Sequence, residues 1–230
     1  HFGAAAYYAF PAAEQDMIGL CFTHATAHVP PYGGKRPFLG NNPICLVAPC
    51  EGEGPFCLDM ATTKVTFNKV QQYKGRGEKI PLDWGTDQAG YATDDPVKLV
   101  NLLPIGDYKG FGLSMMVEIL CGLLSGAPYG RNITVMFGNP MDQRRLLGHF
   151  FIAIDIASFE KPSIFKGRLR KMMDELRQEP RINVNVPIMV AGDPEKKYLK
   201  ERTKTGIPVS RELLIDLKNI VKKYGILHHF

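Results

Sequence analysis

LLPIGDYKGFGLSMMVEILCGLLS, residues 102–125, joins a short apolar strand to a long apolar helix through a turn holding Gly106, Asp107, Tyr108, Lys109, Gly110 and Gly112. A glycine-rich turn that feeds a helix start offers backbone N–H groups at the positive end of the helix dipole and room for a ligand to approach the chain. Lys109 adds a full positive charge at that mouth. These groups suit a phosphate or diphosphate. The glycine spacing fits neither the Walker pattern nor the Rossmann fingerprint. A tight turn before a buried helix remains the other reading of the same residues. The helix is apolar on nearly all sides, which predicts a central, buried position.

Working outward, the pattern alternates between short apolar runs and helical stretches. AAAYYAFPAAEQ (4–15) reads as a helix, with Pro11 marking a kink or a fresh start. MIGLCFTHA (17–25) reads as a buried strand, and the proline- and glycine-rich tract after it as loop. PICLVAP (43–49) and PFCLDMAT (55–62) read as strands of a hairpin around EGEG. Asp59, at the end of that second apolar strand, stands either where layered α/β folds bind ligands or as the N-cap of the next helix.

KVTFNKVQQYKG (64–75) reads as a helix and residues 77–96 as a loop. HFFIAIDI (149–156) reads as a strand, PSIFKGRLRKMMDELRQ (162–178) as an amphipathic helix and VPIMVAG (186–192) as a strand. Two closing helices follow, the second capped by Ser210 and ended near Gly225. Its stripe of Leu213, Leu214, Leu217, Ile220 and Val221 needs cover. The alternation predicts an α/β chain with a mixed sheet and a layered, α+β-like core.

Composition sets bounds on function. The chain has 230 residues, 45% hydrophobic and 22% charged, enough for a sizeable core. The net charge of +5 is concentrated in C-terminal helices where Glu and Asp interleave with Lys and Arg, the pattern of solvated faces. No nucleic-acid module is recognisable. Five cysteines, an odd number with no CxxC, predict a reduced, cytoplasmic protein. No apolar run has the length of a membrane span. His24 and His28 stand four apart in a loop, not on a helix, so no metal site is expected.

Seven segments carry a family resemblance. HFGAAAYYA, PPYGGKRPFLGNNP, DMATT, NKVQQYKGRGEKIP, DWGTD, TDDP and LLPIGDYKGFGL, in this order and spacing, resemble the type-2 malate/L-lactate dehydrogenases. These are nicotinamide-dependent 2-hydroxy acid oxidoreductases without a Rossmann fold. GAPYGRNI and RRLLGHFFIAID look most like the ureidoglycolate branch. The resemblance implies that His1 matches the histidine of the family's H-x-G motif and accepts the proton of the substrate hydroxyl. It implies cofactor contacts from Asp59, Met60 and Ala61, from Lys109 and Gly110, and from Gly192, Asp193 and Pro194. Arg145 matches a substrate-side arginine.

The expected cofactor is NAD or NADP, the substrate a small 2-hydroxy acid, and the assembly a homodimer, with no nucleic acid and no membrane as partner. Residues 1–194 are expected to form the cofactor- and substrate-binding domain. Residues 195–230 are expected to pack on the family's N-terminal helical segment, which does not appear in this sequence. A relative that binds dinucleotide without turnover is the alternative. The pattern departs from the family at His24, Ala25, Asn68, Asp107, Tyr108 and Ala191.

Overall fold

The fold comes from a computed structural model, which describes residues 2–135, 140 and 142–226. The chain divides into two compact units, residues 1–191 and 192–230. The first is built on a four-stranded sheet. Its strands are β1 (Met17–Thr23), β2 (Ile44–Ala48), β3 (Phe56–Met60) and β6 (His149–Asp155), in the order β3-β2-β1-β6. All three pairings are antiparallel, with Cys21 opposite Cys45, Cys45 opposite Asp59, and Thr23 opposite His149. The expected hairpin around EGEG is the β2–β3 pair. A short ribbon, β4 (Gly85–Thr86) with β5 (Asn101–Leu102), lies within and just beyond the stretch expected to be loop.

The two-residue period of the strands divides the core between two helices. On one face Cys21, Cys45 and Val47 pack under Ala5, Ala6, Ala9 and Ala13 of helix α1 (Ala6–Ala13) and its start. The helix lies so close to β1 that a side chain at Gly19 would run into the Ala9 carbonyl. The run of alanines allows that approach. Pro11 stays inside α1 on its exposed side, and the carbonyl of Tyr7, which it leaves without its helical donor, lies on a residue open to water. On the other face Phe22, with Leu20, Ile44 and Phe150 beside it, packs against Val117 and Cys121.

Val117 belongs to helix α3 (Tyr108–Glu118), and Cys121 to the π-helical turn Ile119–Leu123 that continues it. This segment is not buried all round, as its composition predicts. Leu113, Met115, Met116, Ile119, Leu123 and Leu124 are exposed among the described residues. Helix α2 (Phe67–Arg76) starts at Thr66, whose hydroxyl accepts the Lys69 N–H, and ends on Gly77 in the left-handed conformation. Helix α4 (Pro162–Gln178) has the bounds its amphipathic pattern predicts.

Residues 186–192 do not form a strand. Pro187 carries no N–H, and the Cys57 N–H donates to the Ala191 carbonyl at 3.4 Å, which ties the end of the segment to β3. The second unit holds α5 (Asp193–Thr205) and α6 (Arg211–Tyr224). Ser210 caps α6 by accepting the Leu213 N–H, and Gly225 ends it. The apolar stripe of α6 stays open, with Leu213 and Ile220 exposed and Leu214, Leu217 and Val221 half-buried.

Candidate functional site

The described candidate residues of the first unit gather at one end of the sheet. The antiparallel register brings together the end of β1, the start of β6, the residues before β2 and the end of β3. Asp59 is exposed there, and its Oδ2 accepts the Ala6 N–H at 2.9 Å. It therefore caps α1 from a neighbouring strand rather than the helix that follows it. Helix α1 lacks a side-chain cap of its own and has no acidic residue in its first turn, so this carboxylate supplies both functions.

Met60 and Ala61 continue into Thr62, whose carbonyl accepts the Ile105 N–H at 2.9 Å; the Lys64 N–H donates to the Leu103 carbonyl at 2.9 Å. These two bonds lay the Asp59–Ala61 segment beside the turn that opens α3. At that turn Gly106 and Asp107 both have positive φ, 56° and 55°. For Asp107 this is a strained conformation of the kind stored at ligand sites, and its side chain makes no capping bond. Lys109 is exposed and forms no ion pair among the described residues. Gly110 is buried so tightly that any side chain would run into the Ile105 carbonyl. An exposed lysine and a backbone open at Gly106 fit a dinucleotide diphosphate.

Arg145 sits at the end of β1. Its Nη2 donates to Thr26 Oγ1 at 3.0 Å and its Nε to the Thr134 carbonyl at 3.3 Å. Among the described residues two of its five donors are used, which leaves a pair for a carboxylate. Half-burial lowers its pKa. Gly192, Asp193 and Pro194 open α5 in the second unit, with Gly192 at φ 95°. His1 lies outside the described residues; Phe2, which follows it, is placed.

A buried polar cluster behind this end escaped the sequence reading. His24 is fully buried, and its Nε2 accepts the Gly148 N–H at 2.8 Å. Its neutral ring therefore carries the proton on Nδ1, which faces Glu118 Oε1 at 3.9 Å with no closer partner among the described residues. Burial, with the neighbouring His149, lowers the His24 pKa to about 4. Glu118 accepts the Gly130 N–H at 2.7 Å on Oε1 and Asn42 Nδ2 at 2.8 Å on Oε2. Burial raises its pKa while these two bonds pull it down. Asn42 also accepts the Ala25 N–H and donates to the Ser114 carbonyl. The cluster pins α3, and with it Lys109, to the end of β1. A charged residue in an otherwise apolar helix was the available signal.

Known proteins match both the sequence and this arrangement. Residues 1–218 match the malate/L-lactate dehydrogenase family. Malate dehydrogenase of Pyrococcus abyssi is 36% identical over 236 residues, covering 98% of this chain and 64% of the relative. Ureidoglycolate dehydrogenase (NAD(+)) of Escherichia coli K12 is 36% identical over 176 residues, covering 76% of this chain and 50% of the relative. Among solved structures, malate dehydrogenase from Entamoeba histolytica superimposes with a TM-score of 0.92 at 28% identity, over 100% of this chain and 67% of that one. The antiparallel sheet flanked by helices is a non-Rossmann α/β fold shared with solved dehydrogenases. The chain belongs to the malate/L-lactate dehydrogenase family. It spans about two thirds or less of the length of the relatives it matches. Among the described residues no helix is long and apolar enough to cross a membrane.

Proposed function

We propose that this chain carries the cofactor- and substrate-binding part of a nicotinamide-dependent dehydrogenase that oxidises the CH–OH group of a small 2-hydroxy acid. The observation that carries the proposal is the family match over residues 1–218, joined to the hydrogen bonds that set the Asp59–Ala61 segment beside Lys109. The relatives' names include malate, ureidoglycolate and sulfolactate, all 2-hydroxy acids, and both NAD(+) and NADP(+). A nicotinamide cofactor, when bound, accepts the hydride from C2 of the substrate.

The chain's own residues do the remaining work. Lys109 and the backbone at Gly110 hold the diphosphate by charge and close approach. Asp59, Met60 and Ala61 line the cofactor, while Asp59 keeps the start of α1 in place. Gly192, Asp193 and Pro194 form a second cofactor turn. Arg145 offers its remaining donors to the substrate carboxylate. His1 accepts the hydroxyl proton in oxidation and returns it in reduction. The active assembly is a cytoplasmic homodimer, and residues 195–230 use the open stripe of α6 to cover a helical segment preceding His1.

The test is His1→Ala in the full-length protein. The expected result is a kcat lower by about 10²- to 10⁴-fold. NADH affinity stays unchanged, and the lower limb of the pH–rate profile is lost. NADH binding without turnover of any 2-hydroxy acid by the wild type would replace this reading with that of a non-catalytic dinucleotide-binding relative.

A further inference from the structure

Three rings form an ordered stack at the same end of the sheet. Phe2 lies between Tyr8 and His149, with centroids 4.7 Å and 4.6 Å away and planes within 10° and 11° of parallel. The Tyr8 hydroxyl donates to the Phe2 carbonyl at 2.9 Å, so the stack holds the backbone of Phe2 as well as its ring. His149 is the first residue of β6, and its Nδ1 lies 2.8 Å from Thr23 Oγ1. That hydroxyl also reaches two carbonyls, of His24 at 3.2 Å and Gly148 at 3.4 Å. With its proton on Nδ1 the His149 ring donates to Oγ1, and in the other tautomer it accepts the Thr23 hydroxyl proton; either way the bond fixes the ring's orientation.

Phe2 packs against the core cluster under α1. Phe2 and His149 are half-buried, and Tyr8 is exposed. The β1–β6 ladder holds His149 opposite Thr23 through the backbone, whatever the side chain. Core packing accounts for Phe2 but not for the parallel rings of Tyr8 and His149 on its two faces, one peptide bond from the candidate base.

We propose that His149 is a positioning residue of the candidate reaction: stacked on Phe2 and hydrogen-bonded to Thr23, it holds the chain from which His1 extends and so sets the aim of that base. The inference rests on the dehydrogenase reading above. Misplacing a catalytic group by about 1 Å costs on the order of 100-fold in rate, so a loss of alignment is measurable.

The test uses the full-length protein with His149→Ala, His149→Phe and Phe2→Leu. His149→Ala should lower kcat by about 10- to 100-fold. NADH affinity in a fluorescence titration should hold, and so should the lower limb of the pH–rate profile. His149→Phe keeps a stacking ring and should recover most of the rate, while Phe2→Leu should repeat the loss. Unchanged kcat in His149→Ala would overturn the proposal. So would a His149→Phe variant as slow as His149→Ala with the pH limb gone, because His149 would then be the proton acceptor itself. Should His149→Ala fail to fold, the other two variants decide the matter. Histidine-ring NMR separates this proposal from the functional reading. In wild type the His149 ring protons should be displaced upfield by Phe2, and His1 should give one sharp signal that His149→Ala spreads into several. A wild type without turnover would remove the dehydrogenase reading, while a His1 signal indifferent to His149→Ala would remove the positioning role.

Discussion

Acidification should destabilise this protein through His24 as the pH falls from 6.5 to about 4. The ring is fully buried, receives the Gly148 N–H on Nε2 and has a pKa lowered from 6.5 to about 4. A second proton would have to enter at Nε2, where it meets a donor rather than an acceptor. The unfolded chain takes up that proton as pH falls below 6.5, and the folded chain does not until about 4. Stability from this group is thus complete above pH 6.5 and is lost between 6.5 and 4. Between pH 7.5 and 4.5 the loss is about 2.5 kcal/mol by linkage. His28 and His149 have pKa values lowered by burial and act with the same sign. Glu118, raised by burial, takes its proton earlier in the folded state and offsets part of the loss at the acid end. Urea unfolding of wild type and His24→Asn at pH 7.5, 6.0 and 4.5 isolates the His24 contribution. The wild-type free energy should fall more steeply than the variant's by about 2.5 kcal/mol over that range. Parallel slopes would show that His24 is not held neutral by its burial, and would refute the argument.

Three further outcomes follow from the same geometry. Lys109→Ala should weaken NADH binding by about 1.5–3 kcal/mol, the range of a charge-assisted contact, in a fluorescence titration. Asp59→Ala removes the cap of α1 and should cost about 1 kcal/mol of stability, with faster amide exchange confined to residues 6–9. Glu118→Ala leaves the Gly130 N–H and one of the two Asn42 Nδ2 hydrogens without an acceptor, a loss of about 2–4 kcal/mol in denaturant unfolding.

Much of the framework was readable because local rules agreed with the final packing. The Ser210 and Gly225 caps, the EGEG hairpin and the amphipathic α4 are features whose causes lie within a few residues. The reading failed where the cause lies elsewhere in space. The α3 segment has enough apolar residues for burial on every side, but the described residues cover only the face carrying Val117 and Cys121. The run at 186–192 has the hydrophobicity of a strand but does not form one, and Pro187 has no N–H to give to a ladder. Asp59 reads as a cap for the helix after it, yet it caps the helix before it, reached across the sheet. Of the candidate site, the Lys109 turn and Asp59 were singled out from chemistry and position, and the remaining candidates through family resemblance. Asn42, Glu118 and His149 were not singled out, and His24 was weighed only as a metal ligand and as a departure from the family, because each takes its partners from a distant part of the sequence.

The position of β6 has a kinetic consequence. Its partners on β1 lie about 125 residues earlier, as in the Thr23 and His24 bonds to Gly148 and His149. Closing a loop of that length costs about 4 kcal/mol of chain entropy before any contact offsets it. The β1–β2–β3 meander and α1 involve far shorter loops and can form while β6 is still free. During synthesis the nascent chain therefore carries a half-built sheet with β1 exposed along one edge. Tyr8 and Phe2 wait there for the third ring, and His24 waits for its donor. Docking of β6 closes the edge and completes the end of the sheet in one event. A chain stalled or cut before residue 149 would display that edge to its neighbours, so aggregation of truncated products, rather than residual ligand binding, is the expected mark of incomplete synthesis.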